Sequence, residues 1–190
     1  MKPSPAIAKQ STSAAERGAH AGAHRPGRQH AAWPKLAFSA RARPQARAEG
    51  FFLDAFEAEQ IVLIKTVKDG LPSSLVYQLA ERMRVPKERL MSTLGLPRAT
   101  IQRKVAQSTL LGPDESSRVL GMTRLIGQAQ AMVRESGAAE GFDAAAWVAG
   151  WLEQSVPALG GHRPAEFMDT AEGQALVSQL LARAQSGAYA

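Results

Sequence analysis

The sequence predicts an all-α protein: two helical parts behind a disordered N-terminal arm. Three observations carry that prediction. Apolar residues recur at three- to five-residue spacing from Phe51 onward. No Val/Ile-rich alternation long enough for a sheet occurs, although Ile61-Val62-Leu63-Ile64 by itself also fits a short strand. And beyond Met1 the first 50 residues hold only Ile7, Trp33, Leu36 and Phe38 as large apolar side chains, too few to offset the entropy of ordering them.

The chain has 190 residues, long enough for one domain or two small ones. Its hydrophobic share of 45% supports a packed core. Cysteine is absent, which excludes disulfide scaffolds, thiolate zinc sites and cysteine nucleophiles and fits a reducing cytoplasm. The longest apolar run, Ala144 to Leu152, falls short of the roughly 20 residues a membrane helix needs, so no membrane is expected as partner. The net charge of +6 is uneven. Residues 1–50 carry +7, residues 51–110 carry +3 and residues 111–190 carry −4. Such asymmetry suggests a polyanion at the front, nucleic acid being the obvious one, and a different task at the back; a basic solvated tail on a neutral domain is the plainer alternative.

In the arm, His20 and His24 stand four apart, but no cysteine or clear carboxylate partner completes a metal site. The arm lacks the apolar segment of a secretory signal; its Arg-rich, acid-poor character leaves a transit peptide or a downstream start codon open. From Phe51, one helical run through Phe52, Phe56, Ile61, Ile64 and Val67 is expected to stop at Gly70. Pro72 suits a first helical turn, with Ser73 or Ser74 as cap, and Leu75, Leu79 and Met83 draw an apolar stripe behind it.

The stretch Lys87 to Ala106 is the most informative. Leu90, Leu94, Leu96, Ile101 and Val105 are apolar, Gly95 falls between two short helices, and Pro97 restarts the chain. This is a helix-turn-helix arrangement, whose second helix needs one face for the core and one polar face for a major groove about 12 Å wide. It departs from the pattern twice. Met91 stands where a small residue is usual, and the last apolar position falls at Val105, one residue late, with Lys104 in its place. Arg98 and Thr100 lie early on the recognition helix, where base edges are reached; Gln102 suits adenine, Arg103 guanine or phosphate, and Lys104 phosphate. An amphipathic helix in a basic segment carries the same residues when it only packs or docks a protein.

Residues 114–136 predict a long amphipathic helix capped by Asp114 or Ser116. After a glycine-bounded break at 137–141, a helix from about Asp143 to Gln154 carries Trp147 and Trp151, expected in the core. Residues 157–161 read as a turn, Pro164 opens a short helix, and Thr170 caps a last helix running to Gly187. The domain division is therefore 1–50, 51–112 and 113–190.

Several of these residues form a pattern: SSR at 116–118, AWVAGWL at 146–152, PALGG at 157–161, Pro164, the T-x-x-G of Thr170 to Gly173, and the terminal SGAYA. Together they resemble the Xre/MbcA/ParS-type antitoxins over roughly residues 60–190. The resemblance implies a helix-turn-helix domain followed by a compact helical toxin-binding domain. It implies a type II antitoxin, not an enzyme, without cofactor. The implied partners are a cognate RES-domain toxin that depletes NAD, and operator DNA of its own operon. It places Gly187, Ala188, Tyr189 and Ala190 at the toxin's cleft. From the residues alone, such a tail is either frayed or docked, and Tyr189 has the amphipathic character favoured at interfaces.

No group of proton-exchanging or nucleophilic side chains with a visible partner is found, so catalysis is not expected. Three readings stand: an antitoxin that also represses transcription, a DNA-binding regulator without a toxin partner, and a toxin-binding protein whose helix-turn-helix has lost DNA. A homodimer is expected, because such readers pair across two-fold operators.

Overall fold

A computed structural model describes residues 44–137 and 141–185. Within them lie eight α-helices: α1 Pro44–Glu57, α2 Gln60–Asp69, α3 Ser74–Arg82, α4 Lys87–Thr93, α5 Arg98–Ala106, α6 Pro113–Glu135, α7 Ala144–Leu152 and α8 Ala171–Gln185. Short 3-10 turns at Pro157–Leu159 and Pro164–Phe167 connect α7 to α8. The described residues hold no strand, only one isolated bridge between Pro72 and Leu110. The all-α expectation holds. His20 and His24 of the arm lie outside the described residues.

The long helix α6 is the axis on which the rest is built. Its apolar residues Val119, Leu120, Met122, Leu125, Ile126 and Ala129 are all buried, on a surface too wide for a one-sided amphipathic stripe. α1, α2, α7 and α8 all pack on it. α1 crosses so closely that a Cβ on Gly127 would stand 2.0 Å from the Phe52 carbonyl oxygen, so only glycine fits there. Among the described residues no helix is long and apolar enough to cross a membrane.

Several local expectations change. The described part of α1 begins at Pro44, inside the segment read as arm. The run through Val67 is two helices, parted at Ala58 and Glu59, and Ile61 to Ile64 is helical. Ser73 precedes α3 but makes no capping bond, and its hydroxyl is buried without a partner. α6 is capped by neither Asp114 nor Ser116. The Glu115 carboxylate reaches back to accept the Gly112 N–H at 2.7 Å, which is the returning half of a capping box. α7 is shorter than expected, and the Asp143 carboxylate caps it by accepting the Ala146 N–H at 3.0 Å. Trp147 is not in the core. It is 42% exposed and stacks on the half-buried Trp151, centroids 6.0 Å apart.

Candidate functional site

The turn between α4 and α5 sets the geometry of the candidate DNA surface. Leu90 and Met91 are buried, so the large residue at the usually small position fills core space. Gly95 takes φ +58°, a left-handed angle cheap only for glycine. The Leu96 N–H then returns to the Met91 carbonyl at 2.8 Å, closing a Schellman-type end. One side chain takes the two carbonyls that follow α4. The Arg118 guanidinium on α6 donates to the Leu94 carbonyl at 3.2 Å and the Gly95 carbonyl at 2.7 Å, while Asp114 holds it from the other side at 3.1 Å.

From that anchored turn, Leu96 and Ile101 are buried and hold α5 in place. Arg98, Gln102 and Arg103 are exposed; Arg98 and Gln102, four apart, share one face of the helix, and Arg103 stands about 100° round from Gln102. Thr100 is half-buried. Arg98 also contacts Glu88 of α4 at 3.3 Å, an exposed pair that a phosphate can replace. Lys104 stands apart from the other four. It is half-buried against the Glu115 carboxylate, the same group that caps α6. Its charge is matched inside the fold, where it fastens α5 to α6, and Val105 beside it packs on the core.

The C-terminal part is anchored by similarly local chemistry. The Thr170 hydroxyl accepts the Gly173 N–H at 3.0 Å, capping α8 as the sequence predicts. Val177, Leu180 and Leu181 are buried beneath that helix. Gln174 donates its amide to the Arg118 carbonyl at 3.0 Å and the Met168 carbonyl at 2.9 Å. Gly187, Ala188, Tyr189 and Ala190, the expected toxin contacts, lie outside the described residues.

A second set of contacts joins the two parts at the surface. Arg84 pairs with Asp143 at 2.7 Å and Arg89 reaches Glu153 at 3.9 Å; behind them, within the C-terminal part, Arg163 bridges Glu153 at 3.2 Å and Glu166 at 3.0 Å. His162 adds an Nδ1 contact to Glu166 at 3.0 Å. The hydrogen bond from Arg163, then that from His162, holds the Glu166 carboxyl below the usual carboxylate range, and Glu166 in turn raises Arg163. All of these side chains are solvent-exposed in large part. Among the described residues no group of three or more His, Asp or Glu is placed to hold a metal.

Of the SSR triplet at 116–118, Ser116 is a candidate cap in the sequence and Arg118 has no role there. Ser116 is fully buried, and its hydroxyl accepts the Leu71 N–H at 3.0 Å. Arg118 caps α4. A signal for Arg118 was present: a cation in the second turn of a helix opposes that helix's own dipole, so it calls for a partner elsewhere.

Comparison with known proteins agrees with this architecture. Residues 62–124 match the model of the antitoxin Xre-like helix-turn-helix domain, and residues 128–187 match the antitoxin Xre/MbcA/ParS C-terminal toxin-binding domain. The junction between the two matches falls inside α6, so both parts share one helix instead of meeting at a flexible linker. A protein of Sphingobium sp. (strain YBL2) named Prs ADP-ribosylating antitoxin is 41% identical over 135 residues, 71% of this chain and 85% of that protein. The chain belongs to the Xre/MbcA/ParS antitoxins, with a helix-turn-helix domain and a toxin-binding domain built on one continuous helix.

Proposed function

We propose that this chain neutralises a RES-type toxin acting on NAD through its C-terminal domain, and represses its own operon through α5. The observation that carries the reading is the similarity, spanning both domains, to a relative whose name couples an antitoxin to ADP-ribosylation. ADP-ribose transfer and NAD hydrolysis both break the bond between nicotinamide and ribose, and the relative's name favours transfer as the toxin's reaction. A toxin site for NAD has to receive a pyrophosphate, which needs cationic groups at its entrance. The −4 of residues 111–190 complements such an entrance. Gly187, Ala188, Tyr189 and Ala190 enter the cleft and exclude the dinucleotide. On the other side of the molecule, Arg98, Gln102 and Arg103 face the major groove, and the anchored turn fixes their angle of approach. The protein acts in the cytoplasm, where both DNA and NAD are met.

The test is co-expression with the toxin-like product of the adjacent reading frame. The full chain restores growth and copurifies with that product, and a chain lacking residues 187–190 loses protection while keeping its melting temperature. Arg98→Ala with Arg103→Ala leaves protection intact and weakens binding to the operon's promoter DNA by about tenfold to a hundredfold, with a shallower salt dependence. Full protection by the truncated chain would sink the cleft-filling role. Unchanged promoter affinity in the double variant would show that α5 is not the reading helix.

A further inference from the structure

Helices α2 and α8 stand apart over the first half of α6 and leave an open trough of about 730 Å³ between them. Ser117, Gly121, Arg124 and Gln128, three or four positions apart along α6, form its floor. Ile64, Val67 and Lys68 of α2 make one wall, and Ala171, Ala175 and Ser178 of α8 make the other. The lining is mostly apolar, and among the described residues no Asp or Glu takes part in it. Two of its amides are already engaged inside the fold. Gln128 donates to the Ser178 carbonyl at 3.0 Å and accepts the Ser178 hydroxyl at 2.6 Å. Gln174 is committed to the Arg118 and Met168 carbonyls. The cations are not engaged. Neither Lys68 nor Arg124 makes an ion pair or hydrogen bond among the described residues, and the Arg124 Nε is buried without an acceptor.

We propose that this trough binds a small amphipathic anion: an apolar chain or ring laid between α2 and α8, with one carboxylate, sulfonate or phosphate head at Arg124 and Lys68. The volume falls within the roughly 300–1,000 Å³ of small-molecule sites. A guanidinium drawn half out of water with no internal partner is unfavourable, and an anionic head supplies the acceptor the fold withholds. The planar fork of arginine suits a carboxylate or phosphate, and the shelter of the trough strengthens the attraction. With two cations and no carboxylate in the lining, the local potential is positive, so it draws anions and repels cations. The basic N-terminal arm, +7 over residues 1–50, therefore has the wrong sign to fill it. The apolar walls require more than a bare ion. Ile64, Val67 and Ala175 offer nothing to phosphate alone, but they remove a hydrocarbon or aromatic body from water. The site involves neither the exposed side chains of α5 nor residues 187–190, so it stands apart from DNA reading and cleft filling. A ligand there touches α2, α6 and α8 at once, and so raises the melting temperature by mass action.

The test titrates the full chain with 1-anilinonaphthalene-8-sulfonate, an aromatic sulfonate whose fluorescence rises on leaving water. The wild type should bind it saturably, one per chain. Decanoate should displace it and raise the melting temperature, and decanol, the same chain without the charge, should compete at least about tenfold more weakly. Arg124→Met should weaken binding about tenfold to a hundredfold, because it removes charge-assisted bonds in a sheltered place. Arg124→Lys should fall between the two, and Lys68→Gln, at the exposed rim, should cost about threefold. Ala175→Trp fills the trough from an exposed wall position without touching α6, and should block binding with unchanged helical content. Trp147→Ala, which removes the exposed aromatic on α7, should change nothing. A wild type without saturable binding overturns the proposal. So does an Arg124→Met or Ala175→Trp chain that binds as tightly as wild type, or decanol that competes as well as decanoate. Binding lost in Trp147→Ala would place the probe on the Trp147–Trp151 stack and overturn the trough as its site. Binding seen only after deletion of residues 1–43 would show the arm to be the occupant, which equally overturns it.

Discussion

The helix-turn-helix unit is fastened to the rest of the protein at two places that differ in chemistry. At the inner joint, Arg118 is only 17% exposed and holds backbone carbonyls, while Gln174 holds the carbonyl of Arg118 itself. At the outer joint, Arg84–Asp143 and Arg89–Glu153 cross from one part to the other, side chain to side chain in water, and Arg163 ties Glu153 to Glu166 behind them within the C-terminal part. The number of bonds is similar. Their worth is not. A carbonyl left without its donor inside the protein loses water as well as its partner, whereas exposed ions that part are both rehydrated. The inner joint thus fixes the recognition helix, and the outer joint contributes little to that fixation.

The largest expected effect breaks the inner joint. Arg118→Ala leaves the partly buried Leu94 carbonyl and the exposed Gly95 carbonyl without their donor and should lower stability by about 2 kcal/mol. The same change frees the turn that sets α5, so promoter affinity should fall although no DNA-facing residue is altered. Urea unfolding and gel shifts measure the two consequences. If the variant unfolds at the wild-type midpoint, the inner joint is no stronger than the outer one and the contrast collapses. Gln174→Ala tests the same joint from the α8 side. It removes two partly buried bonds and should cost about 1–2 kcal/mol. Because α8 leads toward residues 187–190, toxin protection by this variant should suffer more than promoter binding. The reverse order would place Gln174's main effect on the turn.

What the sequence made legible follows the same division. Periodicity located the long helix, and local chemistry located Gly95 and the Thr170 cap, because each is a signal carried by a few adjacent residues. The break between α1 and α2 escaped, since Ala58 and Glu59 are good helix formers with no proline or glycine to mark it. Trp147 read as core along with Trp151, which does pack against it, because spacing shows which residues share a face, not what covers that face. Arg118, Ser116 and Gln174 act over 23 to 56 positions of chain. No window of sequence shows such pairs, though the SSR triplet marked two of them by family likeness. The pairing of Lys104 with Glu115 was hidden for the same reason: Glu115 lies on another helix.

The smallest effect belongs to the outer joint and carries a sign. Glu166 is held ionised by Arg163 first and His162 second. Its carboxyl titrates below the ordinary range when folded, so the unfolded chain takes up its proton first as acid is added. The stabilisation is then complete above the ordinary carboxylate range and fades as pH falls through it toward the folded value. Glu166→Gln should accordingly melt slightly below wild type at neutral pH, and the two curves should converge in acid. Raising salt at neutral pH should close the same gap, because these ions face solvent. Arg118→Ala behaves differently. The bonds of Arg118 to neutral backbone carbonyls yield little to screening, so the deficit should persist at high salt. A gap at Glu166 that survives high salt would mean the outer joint is sheltered from water, and the two joints would then differ in degree and not in kind.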